Sequence, residues 1–95
     1  MDPDPIDGGV RSIAANVRRL REKRGLTQEQ LAEASGVDAK SVQLLERGTG
    51  NPTARLLLAV AAALGVPAGN LFRPAKLVPR APGRPRKSTP RRSQT

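Results

Sequence analysis

Thr27-Gln28-Glu29-Gln30-Leu31-Ala32-Glu33-Ala34-Ser35-Gly36-Val37-Asp38-Ala39-Lys40-Ser41-Val42-Gln43-Leu44-Leu45-Glu46-Arg47-Gly48 reads as two short helices on either side of a glycine. Thr27 and Gln30 form a capping box, in which the Thr hydroxyl accepts from the Gln30 amide and the Gln30 side chain reaches back to the Thr27 amide. Leu31, Ala32 and Ser35 continue that helix, and Gly36 breaks it. Asp38 is placed to cap a second helix from Ala39 to about Arg47, stopped by Gly48-Thr49-Gly50-Asn51-Pro52. At about 100° per residue, Ala39, Lys40, Gln43, Leu44 and Arg47 share one arc of about 140°. Ser41, Val42, Leu45 and Glu46 take the other. One side of this helix is expected to pack and the other to face solvent.

Upstream, Ile13, Val17 and Leu20 recur at helical spacing between Ser12 and Arg24, with Ser12 as the expected cap and Gly25 as the expected stop. Downstream, Thr53 caps a helix from Ala54 to Leu64 that Gly65 closes. Val66-Pro67-Ala68-Gly69-Asn70-Leu71-Phe72 reads as a turn and a short fifth helix lidding the core. No strand is expected. The fold class is all-α, a compact five-helix bundle.

The 95 residues carry 17 Lys+Arg against 8 Asp+Glu, a net charge of +9. Lys76, Arg80, Arg84, Arg86, Lys87, Arg91 and Arg92, with no acid among residues 76–95, supply +7 of it. That stretch is rich in Pro and poor in apolar side chains, so little burial offsets the entropy of ordering it. Three regions are therefore expected: a disordered acidic segment at residues 1–10, a folded domain at 11–73, and a disordered Pro/Arg-rich basic tail at 74–95.

The chain has no His, Cys, Tyr or Trp and one Phe. Cys/His zinc sites, thiol nucleophiles, disulfides and His-based catalysis are excluded, and no Gly-rich phosphate loop ends in Lys-Ser/Thr. Aromatic stacking platforms for single strands lack their rings. No enzyme, metal or cofactor is expected. The acidic, proline-broken start lacks the pattern of an export signal, and the apolar run Leu56 to Leu64 is about half of the ~20 residues that span a bilayer. A cytoplasmic protein without membrane contact is the expectation.

Two helices joined by a short glycine turn have the arrangement in which the second enters the DNA major groove. Between about Ser12 and Phe72 the chain strongly resembles the Cro-type helix-turn-helix family, also called XRE-type or phage-repressor-like. The matching residues are Val17-Arg18-Arg19-Leu20-Arg21-Glu22, Gly25-Leu26-Thr27-Gln28-Glu29-Gln30-Leu31-Ala32, Gly36-Val37, Ser41-Val42, Leu45-Glu46-Arg47-Gly48, Asn51-Pro52 and Leu57 through Ala61 to Leu64-Gly65-Val66. The resemblance implies a transcriptional regulator that binds double-stranded operator DNA, usually as a homodimer. It implies that Gln28 holds phosphate, that Ala39, Lys40, Gln43 and Leu44 face bases, and that Arg47 and Thr49 contact the backbone. It implies that Arg21 and Glu46 form a buried structural ion pair. Asp38 stands where the family commonly has Ser or Thr, and is read as a helix cap and not a phosphate contact.

Two features fall outside that pattern. Arg55 is the only charged residue of the helix at 54–64, so Leu56, Leu57, Leu58 and Val60 are not expected all to face one small core. A dimer or protein-partner surface is expected there, and an antitoxin-like or anti-regulator interaction module is the alternative to a repressor. In the tail, Pro82-Gly83-Arg84-Pro85-Arg86-Lys87 resembles an AT-hook, although Pro82 replaces that element's first Arg. Arg84, Arg86 and Lys87 are read either as a minor-groove element or as a non-specific basic arm.

Overall fold

The computed structural model describes residues 5–75. In chain order these form α1 (Pro5–Lys23), α2 (Gln28–Ser35), α3 (Ala39–Arg47), α4 (Ala54–Leu64) and a 3-10 helix (Ala68–Phe72). There is no strand among the described residues, and the fold is all-α as expected. Residues 76–95, including Arg84, Arg86 and Lys87, lie outside the described residues, as do residues 1–4.

Local chemistry sets most of the helix ends. Thr27 and Gln30 form the capping box, with Thr27 Oγ1 accepting from the Gln30 amide at 3.0 Å and Gln30 Oε1 accepting from the Thr27 amide at 2.9 Å. Asp38 caps α3 by accepting from the Ser41 amide at 2.9 Å, and Thr53 caps α4 through the Leu56 amide at 3.1 Å. α2 stops at Gly36, whose φ of +73° turns the chain so that the Val37 amide reaches the Ala32 carbonyl at 3.0 Å. Gly48 ends α3 in the same left-handed conformation, φ +78°, and also lies against α1: a Cβ there would be 3.5 Å from that of Ala14.

One boundary and one helix type differ from the sequence reading. α1 begins at Pro5, so residues 5–10, expected to be disordered, are helical. Pro at the first helical position gives up an amide that has no helical partner and brings a preset φ, and Asp7 complements the dipole in the first turn. Ser12, expected as the cap, is buried inside the helix, where its Oγ accepts from the Ala75 amide at 3.2 Å. The fifth helix is 3-10 and not α: the Asn70 amide bonds back to the Pro67 carbonyl at 2.9 Å, and five residues give little room for an α ladder. It lids the core as expected, since Leu71 is fully buried.

Every element contributes to one core: Ile13 and Val17 from α1, Leu31 and Ala32 from α2, Val42 and Leu45 from α3, Leu57, Val60, Ala61 and Leu64 from α4, and Leu71. The α4 set follows the i, i+3, i+4, i+7 spacing of a helix with one buried face. Of the residues that seemed too many for one core, Leu57 and Val60 are buried, Leu56 packs half-buried against them, and Leu58 points outward at 59% exposure. The buried Asn16 closes the bundle, its Nδ2 donating to the carbonyls of Leu71 at 3.0 Å and Arg73 at 2.9 Å.

Candidate nucleic-acid interface

α3 is seated by Val42 and Leu45, which are buried, so that Lys40, Gln43, Leu44 and Arg47 are exposed on its other side. Ala39 departs from the expected outward arc. It is half-buried and packs against the core, because it lies only about 60° around the helix from Val42.

Beneath α3 lies a polar cluster that locks it to α1. The Arg21 guanidinium donates through Nε to Glu46 Oε2 at 2.6 Å and through Nη2 to Glu46 Oε1 at 3.0 Å. Its Nη1 donates to the Leu26 carbonyl at 2.7 Å, beyond the end of α1. The two side chains are 13% and 4% exposed, so this is a buried, bidentate pair. The hydrogen bond with Glu46, opposed by desolvation, holds the Arg21 pKa above its ordinary value, and the nearby carboxylates of Glu46, Glu22 and Glu29 act in the same sense. Glu46 Oε1 also accepts from Gln28 Nε2 at 3.1 Å. The first residue of α2 is thereby tied into the same cluster.

At the start of α3, the exposed Asp38 carboxyl is held below its ordinary pKa by its hydrogen bonds from Ser41, with Lys40 contributing a smaller attraction. Its oxygen is occupied with the helix amide, the role expected of it.

The structure divides the candidate residues between two concavities. Gln28, Gln43 and Arg47 line one of about 550 Å³, together with Arg18, Arg21 and Glu46. Leu44 and Thr49 line a second of about 500 Å³, walled by the 49–53 loop and the start of α4. Lys40 lines neither, and stands exposed at the start of α3. Arg18 was not singled out from the sequence, although it lies three residues before Arg21 and so on the same side of α1. The Gln28 amide was expected to serve phosphate. It donates one N–H to Glu46, and an amide nitrogen carries a second.

This arrangement, two short capped helices joined at a glycine, the second seated on the bundle by one side with its polar side outward, defines a helix-turn-helix protein. The helix-turn-helix family profile matches residues 17–71, and the chain belongs to that family. The uncharacterized HTH-type transcriptional regulator y4dJ of Sinorhizobium fredii is 40% identical over 67 residues, covering 70% of this chain and 87% of the relative. The restriction-modification controller protein C.AhdI of Aeromonas hydrophila is similar in structure with a TM-score of 0.64 at 36% identity, covering 66% of this chain and 96% of that one. The clp gene regulator ClgR of Corynebacterium glutamicum gives a TM-score of 0.64 at 33% identity, covering 73% and 71% of the two chains. No helix among the described residues is long and apolar enough to cross a membrane.

Proposed function

We propose that this protein is a sequence-specific regulator of transcription that binds double-stranded DNA as a homodimer, laying α3 of each copy in the major groove of one half-site and acting as a repressor. The observation that carries this reading is the seating of α3. Its apolar side is buried in the bundle, its Glu46 is clamped by Arg21, and Lys40, Gln43, Leu44 and Arg47 are left in solvent along one side. The family and the named regulators it resembles support the same reading.

Lys40 and Gln43 are the polar readers of base edges, and Leu44 offers apolar contact such as a thymine methyl takes, while Ala39, half-buried at the other edge of that face, offers only the part of its methyl that is exposed. Gln28, Arg47 and Thr49 contact the phosphate backbone and fix register. The exposed Leu58 on α4 supplies apolar surface for a second copy. Residues 76–95, with a charge of +7, add sequence-independent affinity through cations such as Arg84, Arg86 and Lys87. Nothing in this division of labour requires a cofactor, and the setting is the cytoplasm.

Selection of bound fragments from a random duplex pool tests the reading. Enrichment of a palindromic consensus is the expected result. A consensus without two-fold symmetry would overturn the dimer, and no enrichment would overturn site-specific reading altogether.

A further inference from the structure

The 550 Å³ concavity between α1, α2 and α3 contains more positive charge than the candidate contacts account for. Arg21 and Glu46 neutralise one another within it, which leaves Arg18 and Arg47 as its net charge of +2. Gln28 and Gln43 are the remaining lining residues, so a proposed phosphate contact and a proposed base reader face the same space as both cations. Arg47 is exposed, with no ion pair among the described residues. Arg18 is held differently. Its Nε lies 3.3 Å from Glu22 Oε2, one turn further along α1, and both side chains are more than half exposed. The same Glu22 oxygen is 3.9 Å from Arg21 Nη2, but Arg21 is already committed to Glu46 and to the Leu26 carbonyl.

We propose that Arg18 is a phosphate-contact residue of the duplex interface, and that the Glu22 carboxylate occupies it in the free protein and competes with phosphate for it. This rests on the reading that α3 docks on DNA. A carboxylate and a phosphate oxygen present the same acceptor to a guanidinium, and an exposed i, i+4 pair is weak enough to be exchanged for a phosphate in a polyanion's field. When α3 lies in the major groove, the α1 side of this concavity faces one sugar-phosphate strand. Arg18 from α1, Gln28 from α2 and Arg47 from α3 all line that space, and Gln28 keeps a second N–H beyond the one it gives Glu46. Glu22 thus subtracts from affinity without touching sequence preference.

The test measures the affinity of the full chain for its selected duplex and for an unrelated duplex between 50 and 200 mM salt. The variants are R18A, E22Q, the double variant R18A/E22Q, and R19A as a control. Arg19 lies outside the concavity and bonds to Asn16 Oδ1 at 3.4 Å. Loss of one phosphate contact lowers the magnitude of the salt slope by about 0.9, so R18A should lose about 3.5-fold less affinity than wild type across that range. The change should be equal on both duplexes. E22Q should tighten binding on both duplexes, and should do so only while Arg18 is present. An unchanged slope in R18A, or an equal change in R19A, overturns the contact. Tightening by E22Q that persists in the R18A background shows removal of a distant negative charge and overturns the competition. If the wild type shows no preference between the two duplexes, the docking reading itself fails and the inference falls with it, whereas a wild type with clear preference and an R18A of unchanged slope removes the inference alone.

Discussion

Arg21 and Glu46 stand 25 residues apart in the chain and meet through two parallel N–H···O bonds of 2.6 and 3.0 Å, so the end of α1 and the last turn of α3 are one rigid unit. Removing one partner leaves the other buried and uncompensated, which costs more than the pair itself contributes. About 3–5 kcal/mol is the cost for a fully buried pair, and Glu46→Ala in this part-buried one is expected to approach that range from below. Replacing both by apolar residues, as in R21M/E46L, should recover part of that loss, because the Leu26 carbonyl and the Gln28 amide still lose their partners. Urea unfolding of the two variants checks both statements, and an E46A that unfolds with wild-type stability would show the pair to be no more than an exposed ion pair.

Gly48 is required by its backbone conformation. Its φ of +78° is one that L side chains adopt at a cost of roughly 1–2 kcal/mol. A Cβ there would meet that of Ala14 at 3.5 Å and the Arg11 Cα at 3.8 Å, ordinary van der Waals distances that add no clash. Gly48→Ala should therefore lower stability by about 1–2 kcal/mol, and Gly25→Ala, also left-handed and with nothing within 4 Å, by a similar amount. Urea unfolding of the two variants checks this, and a clearly larger loss at Gly48 would show that α1 resists the added methyl.

Asn16 satisfies two carbonyls at the end of the 3-10 helix, that of Leu71 at a buried site and that of Arg73 at a part-buried one. Asn16→Leu keeps the branched heavy-atom shape and removes the donor, and is expected to cost about 1–3 kcal/mol for each acceptor that water fails to reach. The loss should appear first at the 3-10 helix. Hydrogen exchange at the Asn70 amide, which bonds to Pro67, should quicken more than exchange in α2. Uniform quickening would mean that the 3-10 helix is not a separately opening unit.

Cap residues and their partners lie three positions apart, so Thr27, Asp38 and Thr53 announce their helices within a few letters of sequence. Interactions between distant residues leave fainter traces. Asn16 does lie on the Ile13, Val17 and Leu20 stripe, which marks a polar residue turned inward, but its acceptors are 55 and 57 residues away. The Gln28 bond to Glu46 joins residues whose spacing reveals nothing, and the Arg21–Glu46 pair was legible through the family resemblance and not through periodicity. Gly8 and Gly9 hide the first turns of α1, because their poor helix propensity argues against a helix that Pro5 and Asp7 nevertheless start.

The Asp38 cap makes part of the stability depend on pH. Hydrogen bonds from Ser41 hold its folded pKa below the ordinary 3.8, so the carboxylate contributes stability that is present above that value and lost as pH falls through the lower folded one. Asn caps a helix about as well as Asp and does not titrate. The Tm difference between wild type and Asp38→Asn should be steady near neutrality and shift against the wild type below about pH 4. A difference that stays flat into that acid range would show that the carboxylate's charge adds nothing to the cap.

Lys40 and the basic residues beyond position 75 make opposite predictions, because one is held on a seated helix and the others are a dense run of charge without an acid among them. Lys40→Ala should weaken binding to the selected site by about 1–3 kcal/mol while leaving an unrelated duplex little changed. Deleting residues 76–95 should do the reverse. If they neutralise about 4–6 phosphates, their removal takes a slope of about −4 to −5 from the plot of log affinity against log salt, with the preferred sequence retained. Fluorescence anisotropy on both duplexes across a salt series measures the two effects side by side. Equal small losses on both duplexes would strike Lys40 from the base readers, and a truncation that erased the preference while keeping the slope would place sequence reading in the tail instead of in α3.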